Sequence, residues 1–121
     1  MTNIAIIVDL ETTGLNSGYN EIIEFAAVIA KSDGTIIKEF STLVKPEEQI
    51  PSEITKITGI TQKEVDKLGI SINEGLSQFL DFIEDYPVFF HNAPFDVGFI
   101  NAACNQMNLQ FTNVVYAHQT F

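Results

Sequence analysis

The stretch Ile4-Ala5-Ile6-Ile7-Val8-Asp9-Leu10-Glu11-Thr12-Thr13-Gly14 decides how this chain folds. Residues 4–10 are nearly all apolar, as in a β-strand covered on both faces. Asp9 and Glu11 break that run. They lie two apart, so in a strand their side chains point to the same face. Adjacent carboxylates emerging from a buried strand repel one another and lose hydration. No Lys stands within ten residues of Asp9 on either side to compensate them. A divalent cation with oxygen ligands meets the need. A solvated loop beginning at Thr12-Thr13-Gly14 meets it as well, and the pair alone does not choose between the two.

Outward from this strand, the spacing predicts a second strand from Ile22 to Ala30 and a third from Ile36 to Val44. Asp33-Gly34 between them is a hairpin signal, because Gly accepts positive φ. Pro51-Ser52 opens a short helix carrying Ile54 and Ile57, with Gly59 placed to end it. Thr61 and Glu64 have capping-box spacing, as do Ser71 and Glu74. Ile72, Leu76, Phe79, Leu80 and Ile83 then recur at helical spacing, predicting an amphipathic helix to about Asp85. Pro87 breaks it, and Val88-Phe89-Phe90 reads as a short buried strand. Asn92 caps a further helix with Pro94 in its first turn, running to about Met107. Asn113 to Ala117 reads as a fifth strand. The expected fold is α/β with a mixed five-stranded sheet, in chain order βββ-α-β-α-β.

With 121 residues the chain reads as a single domain, 1–121, and ten Phe supply bulky core material. No early run resembles a signal peptide, and no apolar stretch has the ~20 residues of a membrane span. One cysteine, Cys104, fits a reducing cytoplasmic setting and reads as a small buried hydrophobe. The net charge is −10, with six Lys and no Arg. Proteins that grip nucleic acid by neutralising phosphates are basic, so tight nonspecific duplex binding is excluded. A nucleic-acid substrate remains compatible if metal ions carry the phosphate contacts, and weak affinity or help from a partner follows.

The second constellation is His91-Asn92-Ala93-Pro94-Phe95-Asp96. Asp96 falls at the end of the first helical turn after a buried strand. If that strand lies beside the first, Asp96 converges on Asp9 and Glu11 in the crevice at the strands' carboxyl ends. Asp96 also suits the positive end of a helix dipole, a purely stabilising role.

Together these stretches resemble the motifs of a known family. Val8-Asp9-Leu10-Glu11-Thr12-Thr13-Gly14-Leu15 is similar to the first motif of the DEDD (DnaQ-like) 3′–5′ exonucleases, and His91 to Asp96 to the second. That family includes the proofreading epsilon subunit of bacterial DNA polymerase III and ribonuclease T. Glu21-Ile22-Ile23-Glu24-Phe25-Ala26-Ala27-Val28 and Ile57-Thr58-Gly59-Ile60-Thr61 match in the expected order. The resemblance covers essentially the whole chain. It implies a ribonuclease H-like fold and hydrolysis at the 3′ end of single-stranded DNA or RNA. Asp9, Glu11 and Asp96 would be catalytic ligands of two divalent cations, Mg²⁺ with Mn²⁺ as substitute. Thr12 and Thr13 would line the pocket for the terminal nucleotide, with Leu15 against its base. His91 and Asn92 would sit at the site's edge, His91 orienting Asp96.

The family's third motif, a His or Tyr shortly before a fourth acid on a later helix, has no match before Phe121. The resemblance therefore implies a domain incomplete at its C-terminus, lacking the family's final helices. It also implies weak activity from these residues alone and association through the apolar surface left exposed. A DNA polymerase is an expected partner. His118 falls where relatives carry an Asp-Thr pair and reads as exposed. Glu24, a lone acid in an apolar run, reads as structural or edge-exposed, with approach to the metal cluster as its alternative. Lys56, Lys63 and Lys67 read as a solvated face, and Phe89, Phe90, Phe95 and Phe99 as core.

Two rival functions remain. Asp9-Leu10-Glu11-Thr12 is also similar to the nucleophile loop of haloacid dehalogenase-type phosphatases. Glu at the third position, the hairpin that follows, and the lack of a later Lys with an acidic pair all weigh against it. The other rival is a catalytically degenerate exonuclease-like module that docks a protein or a nucleotide.

Overall fold

A computed structural model describes residues 4–117. It contains β1 (Ile4–Thr12), β2 (Ile22–Lys31), β3 (Ile36–Leu43), α1 (Ser52–Thr58), α2 (Gln62–Leu68), α3 (Ile72–Ile83), β4 (Val88–Phe90), α4 (Ala93–Gln106) and β5 (Val115–Ala117). The strands form one five-stranded sheet in the order β3-β2-β1-β4-β5. β1 pairs antiparallel with β2 and β2 antiparallel with β3, whereas β4 runs parallel to both β1 and β5. The sheet is mixed, as expected.

Local chemistry explains the boundaries. Gly34 turns the β2–β3 hairpin at φ 92°, and Gly59 ends α1 in the left-handed region at φ 79°. Thr61 and Glu64 complete a reciprocal capping box on α2. Ser71 accepts a hydrogen bond from the Glu74 amide, which satisfies one free N–H at the start of α3. Asn92 occupies the N-cap position of α4 but caps it only through its backbone; its side chain makes no capping bond.

The expectation that β1 is covered on both faces is not met. Ile6, Val8 and Leu10 are buried, while Ile7 between them is 51% exposed. The reason lies in the helices. Leu76, Phe79 and Ile83 of α3, with Phe99, Ile100 and Cys104 of α4, form one core with the alternate residues of β1, β2 and β4. Both helices thus fill one face of the sheet. On the other face Ile7 stands in register with Phe89, which stacks on Tyr116 at 4.9 Å. A smaller cluster of Ile23, Ile50, Ile60 and Val65 anchors α2, with Ile54 of α1 packed against it. Ile57 on the same short helix is 80% exposed and adds nothing to the core. Cys104 is buried, and Lys56, Lys63 and Lys67 are exposed.

Candidate active site

Asp9 and Glu11 lie within β1, which continues to Thr12, so the reading of a loop starting at Thr12 does not hold. Both project to the face opposite the helices: Val8, Leu10 and Thr12 are buried, Asp9 is exposed and Glu11 half-buried. β4 lies beside β1 with Val8 in register with Phe90, so His91 emerges next to Asp9 at the carboxyl end of two parallel strands. The order of the sheet branches here, β2 to one side of β1 and β4 to the other, which is where open α/β sheets collect ligands.

The turn after β4 leads directly into α4, whose first turn carries Asp96. The Asp96 amide donates to the Asn92 carbonyl at 3.0 Å, fixing the residue on the helix. Its side chain is buried, with only 7% of the residue exposed. Burial, then Asp9, then Glu11 push its carboxyl up to about 7. Glu11 is also raised, by burial first and then by Asp9 and Glu24. The two acids of the first motif and the acid of the second therefore act on one another through space. No cation figures among the influences on either group. Among the described residues no three His, Cys, Asp or Glu side chains stand close enough to hold an ion. The donor set still fits a hard divalent cation: carboxylate oxygens, one on a largely buried side chain.

The remaining expected site residues divide. Leu15 is 87% exposed in the β1–β2 loop. That loop is braced internally: the Asn16 amide donates to Asn20 Oδ1 and the Gly18 amide to Asn16 Oδ1. Thr12 and Thr13 lie beneath it, 8% and 3% exposed, and do not line an open pocket. The Thr12 hydroxyl donates to the Gly14 carbonyl, and Thr13 Oγ1 accepts from the Glu21 amide. Thr12 faces inward by the same alternation that buries Val8 and Leu10, and the pairing with β2 shifts register between Glu11 and Thr12. His91 and Asn92 are exposed at the rim. Of the four phenylalanines, Phe90 and Phe99 are buried, Phe95 is half-buried beside Phe99, and Phe89 is half-buried on the open face. His118 lies outside the described residues.

Two features were not legible in the sequence. Glu21 clamps a distant loop, its carboxylate accepting from the amides of Glu47 and Glu48. Glu24 stands directly opposite Glu11 across β1 and β2.

A mixed sheet of this order, with acids gathered at the carboxyl ends of its central parallel strands, has the ribonuclease H-like architecture of nucleases. The chain belongs to the exonuclease family, whose model, described as Exonuclease, matches residues 6–120. Within that family it is similar to DNA polymerase III PolC-type of Clostridium perfringens, 42% identical over 110 residues, 91% of this chain. PolC-type DNA polymerase III of Thermotoga maritima is 43% identical over 95 residues, 78% of this chain. The chain spans only 8% and 7% of the length of these two relatives. Among solved structures, E. coli Exonuclease I in complex with a 5cy-dA13 oligonucleotide superposes with a TM-score of 0.83. It is 18% identical, with 95% of this chain and 28% of that one covered. The ExoI/SSB-Ct complex gives 0.83 at 18% identity, covering 97% and 28%. These likenesses bear out the expected family and fold. Among the described residues no helix is long and apolar enough to cross a membrane.

Proposed function

We propose that the chain is a single exonuclease domain that removes nucleotides from the 3′ end of single-stranded DNA with the aid of divalent cations. One observation carries this reading: Asp9 and Glu11 from β1 and Asp96 from α4 act on one another at the meeting point of two parallel strands. PolC-type relatives and the oligonucleotide-bound structural neighbour support the substrate class.

Asp9, Glu11 and Asp96 would hold two ions, Mg²⁺ with Mn²⁺ as substitute. When bound, such ions would supply activation of the attacking water and charge stabilisation at the leaving 3′-oxygen. The protein's own share is placement. Leu15 meets the terminal base, the braced loop holds Leu15 in position, and Thr12 and Thr13 support the loop from below. His91, beside Asp9, orients the acids and the scissile phosphate from the rim. The net charge of −10 makes the cations and a partner polymerase the main source of substrate affinity, as in proofreading. These three carboxylates alone would turn over slowly.

The test is an oligonucleotide labelled at its 5′ end. Removal from the 3′ end gives a ladder of labelled products shortening with time, and Asp9→Asn abolishes it. Immediate release of labelled mononucleotide overturns the polarity, and undiminished trimming by Asp9→Asn overturns the site. That no three such side chains among the described residues stand close enough to hold an ion favours a second reading, a degenerate module that docks nucleic acid without cleaving it. Oligonucleotide binding indifferent to divalent cations, with no trimming, would select it.

A further inference from the structure

The β1–β2 loop spans the two elements that carry the acids. It leaves β1 just after Glu11 and Thr12. On its far side Ser17 lies close to α4, since a Cβ added at Gly98 would stand 3.4 Å from Ser17 Oγ. Gly98 follows Asp96 by two residues on that helix. The place of Leu15, 87% exposed on this loop, depends on what fixes the loop's shape. Three observations assign that task to Asn20. First, Asn20 and Asn16 are tied twice. The Asn16 amide donates to Asn20 Oδ1 at 2.9 Å, and the Asn20 amide donates to the Asn16 carbonyl at 2.7 Å. Second, the same side chain packs against the residue on the other side of Leu15. A Cβ added at Gly14 would meet Oδ1, Cγ and Nδ2 of Asn20 at 2.6, 2.7 and 2.7 Å, closer than any side chain at this position tolerates. Leu15 thus stands between two neighbours, Gly14 and Asn16, both held by Asn20. Third, Asn20 is attached to an anchor. Glu21, the next residue, donates its amide to Thr13 Oγ1 at 2.9 Å and accepts the Thr13 amide on its carbonyl at 2.8 Å. Its carboxylate accepts from the amides of Glu47 and Glu48 at 2.8 and 3.2 Å. A loop held this way loses little further freedom when a ligand arrives, which favours binding.

We propose that Asn20 is a positioning residue for the terminal nucleotide of the substrate: by gripping Gly14 and Asn16 it fixes the backbone on either side of Leu15 and so sets where that side chain meets the base. The inference rests on the exonuclease reading above and extends it from the residue that meets the base to the residue that aims it. It also accounts for glycine at position 14. Any side chain there would displace the Asn20 carboxamide and break its bond to Asn16.

The test is binding of a single-stranded oligonucleotide, fluorescently labelled at its 5′ end, to the full chain with Mn²⁺ present. Anisotropy gives the affinity, and KM and kcat for trimming are measured on the same variants. Asn20→Ala is expected to weaken binding about fivefold, the loss of roughly one base contact, and to raise KM by the same factor with kcat unchanged. Gly14→Ala pushes the Asn20 side chain away and is expected to do the same. Both act on one contact, so the double variant should bind no more weakly than either single one. Coupling to Leu15 separates aiming from a general loosening: in a Leu15→Ala background, Asn20→Ala should cause no further loss. Ser71→Ala removes a similar side-chain-to-amide bond at the start of α3 and should leave affinity unchanged. Undiminished binding by Asn20→Ala, with Leu15→Ala weakened, overturns the inference and leaves the exonuclease reading standing. Equal losses from Asn20→Ala with and without Leu15 would show a role unconnected to Leu15 and also overturn it. So would a loss in Ser71→Ala as large as that in Asn20→Ala. Absence of binding and trimming by the unsubstituted protein overturns both readings.

Discussion

Asp96 shows how one side chain links stability to function. Its carboxyl is held up at about 7 by burial and by Asp9 and Glu11, against an ordinary value of 3.8. Between those values the folded protein holds a proton that the unfolded chain has released, so this residue makes stability fall as pH rises. Metal-free protein should therefore melt at a higher temperature at pH 5 than at pH 8. Asp96→Asn should flatten that part of the profile, as thermal melts across the range would reveal. Cation binding has the opposite sign, because it requires the deprotonated acid, and it should strengthen as pH rises through 7. Leu15 makes a separate case. At 87% exposure its truncation removes nothing from the core. Leu15→Ala should leave the melting temperature unchanged and raise KM for a single-stranded oligonucleotide, by the equivalent of roughly 1 kcal/mol for a lost base contact. At this scale the sequence singled out Asp9, Glu11, Asp96 and Leu15 as candidates, and the fold brings Asp96 within electrostatic reach of Asp9 and Glu11. It could not show that Thr13, beside the inward-facing Thr12, is buried as well, since Thr is mostly an exposed residue type.

Elements were legible wherever backbone chemistry punctuates them. Gly34, Gly59, the Thr61–Glu64 box and Pro94 each mark a boundary that the structure keeps. Gly59→Ala places a side chain at φ 79° and should cost about 1 kcal/mol. Thr61→Ala loses the cap on α2 and should cost about as much. Denaturant melts of the two variants check both figures. Pairing was less legible. The loop from Thr13 to Glu21 is too long for its turn type to set the register of β1 on β2, so the Glu11–Glu24 opposition became visible only in the folded sheet. Burial on β1 was misread for a related reason: an unbroken apolar run looks the same whether helices cover two faces of a sheet or one. Ile7 is the residue that tells them apart, at 51% exposed.

Taken whole, the molecule has α3 and α4 over one face of its sheet and an apolar patch on the other. Ile7 and Phe89 line a hollow of about 850 Å³ beside Asp9, Phe90 and His91, and Tyr116 extends the patch by stacking on Phe89. Contiguous apolar surface of this kind drives association. Sedimentation velocity should show weight-average mass rising with concentration for this chain, and Ile7→Asp should hold it at the monomer; a concentration-independent monomer would contradict this. The net charge of −10 acts in the other direction, opposing both self-association and phosphate binding unless cations intervene. The central claim is that acids from β1 and from the start of α4 share divalent ions. Anomalous scattering from crystals grown with Mn²⁺ tests it most directly. Density coordinated by Asp9 together with Asp96 is the predicted result, and Mn²⁺ bound elsewhere, with no site bridging those two side chains, would contradict it.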